Sequence, residues 1–387
     1  MSPRFGGRAL AILGLCAGLV AGLPTSATAT AAAPATATAP ATARTSATAR
    51  APAKPPPRLS VTGAALYAPA TGQLLYGVHP SRRLAIASTT KLMTALVTLQ
   101  HIHHLGVTFA QNDWYPAAED SQIGLIPGER MSVHDLLLAL MLPSADDAAE
   151  DLAYNIGHGS VRRFIGMMNA EARALHLRNT HYSTPVGLDT PGNWSSADDL
   201  AHLAAYDLSH SRYFARIVAL PQAVLHSGRE VRTVVNRNDL VREHPWIDGV
   251  KTGHTSDAGY VLVASGHRDG MTLISAVLGT DSEQSRDANT MALLDYGFSA
   301  FRVWKPVRRG QVLARVGVRG RAGEGATLVA GRGWRRILPR SDHLRVVTRA
   351  PRQLLGPLAA GKVVGSVLVL DGRQVLARIP LAVARRV

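Results

Sequence analysis

Three short polar segments, in this order along the chain, carry residue types that suit nucleophilic catalysis: S-T-T-K at 88–91, S-A-D at 144–146 and K-T-G at 251–253. A serine hydroxyl needs a base to accept its proton, and a lysine amine can be that base once its pKa is lowered. Residues three apart share one face of a helix, so the amine of Lys91 can reach the hydroxyl of Ser88. Each segment alone is a weak signal, whereas the three in order predict a serine nucleophile activated by lysine.

Two further features favour proton transfer at this site. The N-terminus of a helix carries partial positive charge, which favours negative charge as it develops on Ser88. Burial and a second cation, Lys251, both lower the pKa of Lys91. Ser144, at the start of a later helix, can relay a proton to the leaving amine. Ser88, Lys91 and Ser144 are therefore the predicted catalytic residues.

The K-T-G segment precedes a strand-like run and is expected along the edge of the cleft. An edge strand there can pair with an extended peptide substrate by main-chain hydrogen bonds. Lys251 and the hydroxyl of Thr252 suit a substrate carboxylate, and Gly253 lets the substrate approach closely. The backbone N–H groups of Ser88 and His254 are the predicted oxyanion hole.

The elements that must position these residues are read from the spacing of apolar residues. β-forming runs at 59–67 and 73–77 around a turn predict a hairpin, and runs at 259–265 and 273–278 predict two more strands. Helical spacing predicts five helices, one that starts near 87 and four more at 133–142, 145–156, 161–175 and 285–296. Strands at both ends that enclose a helical middle predict an α+β fold, with helices that cover one antiparallel sheet.

Beyond Trp304 the pattern changes to short β runs divided by Gly and Arg, which predicts a small all-β C-terminal domain. Residues 301–387 hold nineteen Arg or Lys against three acids, whereas the whole chain has a formal net charge of +15. This asymmetry separates a basic C-terminal domain from residues 1–300, which are nearly neutral as a whole and include the catalytic domain (58–300). The basic domain is expected to meet anionic wall polymers or a membrane surface; a solvated basic surface without a partner is the alternative.

The N-terminus has the pattern of an export signal. Arginines precede an apolar stretch at 9–23, and A-T-A at 27–29 suits cleavage, so residues 1–29 are predicted to be a signal peptide. An uncleaved anchor is the alternative. Residues 30–57, mostly Ala, Thr and Pro, predict an extended linker. The only cysteine, Cys16, lies within the apolar stretch, so the mature chain is expected to be a thiol-free exported protein, secreted or held at the wall or the outer face of the cytoplasmic membrane.

The chain resembles the low-molecular-mass penicillin-binding proteins that act as serine D-alanyl-D-alanine carboxypeptidases. The resemblance rests on A-S-T-T-K-L-M-T at 87–94, L-P-S-A-D-D-A-A at 142–149 and D-G-V-K-T-G-H-T at 248–255, with shorter matches at 187–189, 195–200 and 293–298. It implies a β-lactamase/DD-peptidase-like fold and an acyl-enzyme on Ser88. It also implies that Lys91 accepts the proton, that Ser144 takes part in the proton relay and that Lys251 binds substrate.

The resemblance further implies the substrate, the terminal D-alanine of peptidoglycan stem peptides, and covalent inhibition by β-lactam antibiotics. Arg237 and Arg286 fall where the family often has arginines near its carboxylate pocket. Surface charge or a structural ion pair is the alternative for both. The segment G-K-V-V-G at 361–365 resembles, more loosely, part of the family's second domain.

One position departs from the family pattern. The middle motif normally ends in Asn, and this chain has Asp146, which we expect in the substrate-binding site. An amide donates and accepts hydrogen bonds, whereas an ionised carboxylate only accepts. A carboxylate beside two lysines stabilises their charged forms, so the pH–rate profile is expected at higher pH than that of an Asp146→Asn variant. A protonated Asp146 or a partly disabled motif is the alternative.

Other functions are less well supported by the sequence. A class A β-lactamase needs a glutamate for its deacylating water, and no E-x-x-L-N segment lies between 144 and 251. The same catalytic residues suit a DD-endopeptidase, and a motif weakened by Asp146 beside a basic domain suits a catalytically weak wall-binding protein. The scattered histidines form no convincing ligand set, so neither a metal nor a cofactor is expected. Nucleic acid is not expected as a partner.

Overall fold

The computed structural model describes residues 54–117, 120–320 and 325–387. The predicted signal peptide (1–29) and most of the predicted linker (30–57) lie outside this part of the chain. Within the described part, no helix combines the length and the apolar character needed to cross a bilayer.

Eight α-helices lie in the described residues. In chain order they are α1 (Lys91–His101), α2 (Val133–Met141), α3 (Asp146–Ile156), α4 (Val161–Ala174), α5 (Ala197–His210), α6 (Arg212–Val218), α7 (Leu240–Glu243) and α8 (Glu283–Ala300). The five predicted helices are confirmed as α1 to α4 and α8, to within a few residues. The unpredicted α5 and α6 begin after Ser196 and Ser211, whose side chains accept backbone hydrogen bonds as N-caps.

The strands are short and divide between several sheets. In chain order they are β1 (Gly63–Ala68), β2 (Gln73–Val78), β3 (Thr108–Ala110), β4 (Arg130–Ser132), β5 (Gln222–Leu225), β6 (Arg232–Val235), β7 (Ile247–Thr255), β8 (Gly259–Arg268), β9 (Met271–Thr280), β10 (Phe301–Val307), β11 (Val312–Arg319), β12 (Gly325–Ala330), β13 (Trp334–Pro339), β14 (Leu344–Arg349), β15 (Gln353–Leu355), β16 (Val363–Asp371) and β17 (Gln374–Val383). The predicted hairpin is β1–β2, and the two predicted later strands are β8 and β9.

A five-stranded antiparallel sheet in the order β2-β1-β9-β8-β7 lies at the centre of the part that carries the motifs. Side chains alternate along β1 into two cores: Ala65 and Tyr67 enter the core formed with α1 to α6, whereas Ala64 and Leu66 enter the core formed with α8. The predicted antiparallel sheet covered by helices is therefore confirmed. β7 is the last strand of this sheet, so one of its edges has no strand partner in the described residues.

The C-terminal residues form a β-rich part with its own core. Six strands pair in the order β14-β16-β17-β12-β11-β15, and Leu328, Val367 and Ile379 lie in the core beneath them. β10 and β13 form a two-stranded ribbon, which places Phe301 and Ile337 in the core shared with α8. The predicted class, an α+β fold followed by a β-rich C-terminal domain, is confirmed.

Candidate active site

The chain folds into a 3-10 turn, Ala87–Thr90, directly before α1, and this turn presents Ser88. Ala87 has φ +47, a left-handed value that is uncommon for a residue with a β-carbon. The hydroxyl of Thr89 holds the turn by donating to a carbonyl three residues earlier, at 2.6 Å. Because α1 begins at Lys91, its amine reaches back to the turn, with 2.9 Å between Nζ and the Ser88 Oγ.

Lys91 is completely buried, and its Nζ contacts three oxygen atoms. Besides Ser88 Oγ, these are a carboxylate oxygen of Asp146 at 2.5 Å and the carbonyl oxygen of Val186 at 2.7 Å. Burial lowers the pKa of Lys91, and the negative charge of Asp146 opposes this shift. Burial is the larger effect, so Lys91 gives up its proton more readily than a lysine in water.

The loop that supplies the Val186 carbonyl packs against the Ser88 turn. Gly187 has φ +98, and a β-carbon at this position would lie 2.1 Å from the carbonyl oxygen of Ala87. Only glycine therefore allows this contact. The hydroxyl of Thr94 also fixes the loop, since it donates to a carbonyl there at 2.7 Å. The loop and α1 thus hold the nucleophile and its base from two sides.

Ser144 lies between α2 and α3 with φ +71, a strained value for a serine. Its Oγ is buried and has no hydrogen-bond partner among the described residues. The following residues fix its position, because the N–H of Asp146 donates to the carbonyl of Ser121 at 2.7 Å. The Ser144 hydroxyl is therefore held in place and free to bond a reacting group.

The K-T-G segment lies on β7, the edge strand. A β-carbon at Gly253 would lie 3.0 Å from the backbone nitrogen of Ser88, so the strand passes directly beside the nucleophile. Lys251 is buried, and its Nζ donates to the carbonyl of Thr252 at 3.1 Å. Burial, followed by the positive charges of Lys91 and Arg237, holds the pKa of Lys251 well below its usual value.

These elements enclose a cleft of about 170 Å³. Eight of the ten predicted site residues line it: Ser88, Ser144, Asp146, Arg237, Thr252, Gly253, His254 and Arg286. The other two, Lys91 and Lys251, are buried, and Lys91 contacts Ser88 from beneath the turn. The structure thus brings all three motifs to one place.

The two arginines of the cleft differ in their surroundings. Arg286 on α8 is buried, and its guanidinium donates two hydrogen bonds to Asp287, at 2.9 and 3.1 Å, and one to Glu283 at 3.1 Å. Arg237 is exposed and has no ion-pair partner among the described residues. The structural ion pair considered for Arg286 is therefore present, whereas the charge of Arg237 is available to a ligand.

The end of the cleft near His254 is fixed by hydrogen bonds to one carboxylate. Asp189 accepts from the hydroxyl of Thr255 at 2.6 Å and from the N–H of Asp257 at 3.0 Å. The ring of His254 stacks on Tyr260, with 4.0 Å between ring centres. These contacts hold the loop that follows α4 against the end of β7. They therefore fix the two walls of the cleft relative to each other.

Comparison with known proteins assigns the chain to a family. The family profile described as D-alanyl-D-alanine carboxypeptidase matches residues 49–282, more than half of the chain. This chain belongs to the D-alanyl-D-alanine carboxypeptidase family. The resemblance inferred from the motifs is confirmed, and with it the class of enzyme, a serine peptidase.

Individual relatives agree with this assignment. The D-alanyl-D-alanine carboxypeptidase DacD of Escherichia coli is 32% identical over 343 residues, which cover 84% of this chain and 86% of the relative. The crystal structure of penicillin-binding protein 5 from Haemophilus influenzae superimposes with a TM-score of 0.69 at 29% identity, over 86% of this chain and 99% of that one. The Streptomyces K15 DD-transpeptidase has a TM-score of 0.60 at 33% identity, and 63% of this chain covers 99% of it.

Within this carboxypeptidase site, sequence reasoning missed Glu150. It lies one helical turn after Asp146 on α3 and is buried. Burial, followed by the negative charge of Asp146, raises the pKa of Glu150 to about 7, although Lys91 acts in the opposite direction. The spacing of four residues between Asp146 and Glu150 could have indicated that the two side chains lie close together, because residues i and i+4 share one face of a helix.

Six residues that line the cleft were not predicted as site residues. Gly187, Leu188 and Thr255 lie in the segments that carry the resemblance, whereas Asp120, Ser121 and Glu283 lie outside them. Asp120 and Ser121 lie in a loop, which carries no periodic pattern. This loop is anchored by Asp147, whose carboxylate accepts from the N–H groups of Ile123 and Leu125. Such an anchor joins residues far apart in sequence, so the motif alone gave no sign of it.

Proposed function

We propose that this protein is a serine D-alanyl-D-alanine carboxypeptidase that removes the terminal D-alanine from peptidoglycan stem peptides through an acyl-enzyme on Ser88. The observation that carries the proposal is the contact of 2.9 Å between Lys91 Nζ and Ser88 Oγ, beside the edge strand β7. Membership of the carboxypeptidase family supports the choice of substrate.

Lys91 is the base of the first step. Because burial favours its neutral form, it accepts the Ser88 proton as Oγ attacks the carbonyl carbon of the penultimate D-alanine. The backbone N–H groups of Ser88 and His254 stabilise the negative charge on the carbonyl oxygen. Ser144, whose hydroxyl is unpartnered in the described residues, passes the proton to the amine of the leaving D-alanine.

The substrate lies as an extended peptide along the open edge of β7. Its terminal carboxylate accepts hydrogen bonds from the Thr252 hydroxyl and from the unpaired guanidinium of Arg237. Lys251 is buried beside Thr252, and Arg286 lines the same cleft with its guanidinium held by Asp287 and Glu283. Asp146 lines the same cleft and holds Lys91 in position through their contact of 2.5 Å.

A second step regenerates the enzyme. Water enters the place of the leaving amine and attacks the ester on Ser88, while Lys91 again accepts a proton. β-Lactams acylate Ser88 by the same route. Opening the lactam ring leaves the amine attached to the acyl group, so it stays in the site and hinders the entry of water. β-Lactams are therefore expected to act as covalent inhibitors.

The test uses the purified protein and its Ser88→Ala variant, each incubated with a stem pentapeptide that ends in D-alanyl-D-alanine and with a fluorescent penicillin. We expect release of D-alanine and a covalent label, both absent in the variant. Ser209→Ala, which changes an exposed serine on α5, is the matched control and should behave as the wild type. Labelling without release of D-alanine would contradict the substrate. The absence of both would favour a catalytically weak wall-binding protein.

We also propose that the protein acts outside the cytoplasm after export directed by residues 1–29. In this proposal residues 58–300 form the catalytic domain and residues 301–387 a basic domain. The separate core beneath the C-terminal six-stranded sheet supports the division, as does the match of the Streptomyces K15 DD-transpeptidase to only 63% of the chain. The arginines of 301–387, almost all exposed where the structure describes them, would hold the enzyme to anionic wall polymers or anionic lipid headgroups.

A further inference from the structure

A recess of about 180 Å³ adjoins the active-site cleft and shares Gly187 and Leu188 with it. Its other walls are residues 85–87, which lead into the nucleophile, the loop residues 189–191 and 193, and Asp257. Asp257 lies in the tight turn that joins β7 to β8, three residues after His254. The recess is therefore at the end of the cleft where β7 finishes.

The charge of this recess is opposite to that of Arg237 in the cleft. Two acids, Asp189 and Asp257, line it, and none of its lining residues is a lysine or an arginine, although the chain has a formal net charge of +15. Asp189 already holds the turn, since it accepts from the hydroxyl of Thr255 and from the N–H of Asp257. The carboxylate of Asp257 is exposed and has no partner among the described residues. Asp257 therefore offers a free negative charge to a ligand.

The direction of the substrate along β7 determines which part of it reaches the recess. In the proposed function, the terminal carboxylate lies at Thr252, and the reacting carbonyl lies at the N–H groups of Ser88 and His254. The acyl half of the peptide therefore continues towards Thr255, antiparallel to β7. An extended chain advances about 3.3 Å per residue, so a long side chain on the residue before the penultimate D-alanine can reach the turn that carries Asp257.

In a stem peptide this residue is a diamino acid, whose side-chain amine is protonated at neutral pH. We propose that Asp257 binds this ammonium group, so that the recess selects stem peptides with a positive charge on the residue before D-alanyl-D-alanine. The inference rests on the proposed function, because it uses the same orientation of the substrate. A carboxylate at the edge of a site attracts a cation and repels an anion, so the charge of this side chain determines the preference.

The test uses two substrates that differ only at this group: Nα-acetyl-L-lysyl-D-alanyl-D-alanine and the same peptide acetylated on its side-chain amine. For the full-length protein in low salt, we expect kcat/KM to be about fivefold higher for the free amine, the upper range for an exposed ion pair. Asp257→Asn should bring the two values close together. Raising the salt concentration should have the same effect in the wild type, because exposed charges are screened.

Two further variants make the result specific to charge. Asp257→Lys should reverse the preference, so that a peptide with a succinylated, anionic side chain is cleaved faster than the free amine. Misfolding cannot produce such a reversal. Asp269→Asn is the matched control and should keep the wild-type preference. Asp269 is an exposed acid in the turn that joins β8 to β9, and it does not line the recess.

The outcomes separate the two proposals. If the wild type cleaves both peptides equally well, or if Asp257→Asn keeps the preference, the inference about the recess is wrong and the proposed function stands. If neither peptide releases D-alanine while penicillin still labels Ser88, the proposed function fails. Competition with penicillin labelling then decides the inference. Stronger slowing by the free amine in the wild type, lost in Asp257→Asn, would support the recess, and equal slowing by both peptides would overturn it.

Discussion

The active-site cleft and the C-terminal sheet use charge in opposite ways. In and around the cleft, Lys91, Lys251, Asp146 and Arg286 are all buried. In the described part of residues 301–387, the arginines and lysines are almost all exposed. A buried charge must be paired or must change its protonation, whereas an exposed charge is solvated and contributes little to stability. One substitution in the cleft should therefore change the chemistry, whereas substitutions on the C-terminal sheet should act in small steps.

The backbone shows the same contrast. Ala87, directly before Ser88, and Ser144, which lines the cleft, have φ values of +47 and +71. Within the described part of residues 301–387, positive φ values occur only at glycines. Strained conformations persist where the surrounding structure holds them in place. Strain of this kind therefore lies in both segments that present the serines of the cleft, although residues elsewhere, such as His79 and Asp269, also have positive φ values.

The same change, lysine to methionine, should have very different effects in the two regions. Lys91→Met removes the base from Ser88 and is expected to slow acylation by penicillin by about 10³-fold or more. Lys362→Met, on the exposed surface of the C-terminal sheet, should leave the rate unchanged. The measurement is the rate of covalent labelling for each purified variant. Near-normal labelling of Lys91→Met would mean that another group is the base.

The second prediction concerns Glu150 and the pH dependence of stability. Its pKa is about 7 in the folded protein and about 4.3 in an unfolded chain, so the folded state holds this proton more tightly. The stability that this provides is complete below the unfolded pKa and is lost as pH rises through about 7. Relative to the wild type, Glu150→Gln should therefore gain up to about 3 kcal/mol between about pH 4 and about pH 8.

Urea unfolding of the wild type and of Glu150→Gln across this pH range measures the difference. Glu243→Gln, an exposed acid on α7, is the control and should follow the wild type at every pH. If the wild type and Glu150→Gln lose stability in parallel as pH rises, burial of Glu150 has no energetic consequence. In that case the contrast between buried and exposed charge would be weaker than the structure indicates.

The same contrast explains what the sequence could predict. The contact between Lys91 and Ser88 could be predicted because the two residues are three apart at the start of a helix. The position of the K-T-G segment beside Ser88 joins distant residues, and only the order of the three motifs pointed to it. The fold class followed from the helical spacing of apolar residues and from the β-forming runs, although β1 is buried on both faces and so shows no alternation of apolar and polar residues. The helices α5 and α6 were missed, although the Ser196 cap is a local signal.

Features that depend on distant contacts could not be predicted. The burial of Glu150 depends on the packing of α3 against the helices around it, which include α1, α2 and α4. For Arg286, the sequence left two interpretations open: a cation in the carboxylate pocket or a structural ion pair. The structure places its guanidinium between Asp287 and Glu283, on its own helix, so the pairing was within reach of helical spacing.

The third prediction concerns Asp146, the position that departs from the family pattern. Its charge opposes the lowering of the Lys91 pKa, so Asp146→Asn should lower this pKa further. The acidic limb of the acylation rate should then move to lower pH. The measurement is the rate of penicillin acylation as a function of pH for both proteins. If both share one acidic limb, Asp146 does not set the protonation of Lys91.

The smallest effects are expected on the basic surface. Arg308 and Arg309 are exposed neighbours at the end of β10, and replacing each with Ala should weaken binding to vesicles that contain anionic lipid by roughly fivefold, about 1 kcal/mol per arginine. Binding should also weaken as salt is raised, because exposed charges are screened. The rate of penicillin acylation should not change in either variant.

Sedimentation with vesicles, and separately with isolated wall polymer, measures the binding. If neither material binds the wild type in low salt, the arginines form a solvated surface; if acylation also slows in the variants, the two regions are not independent.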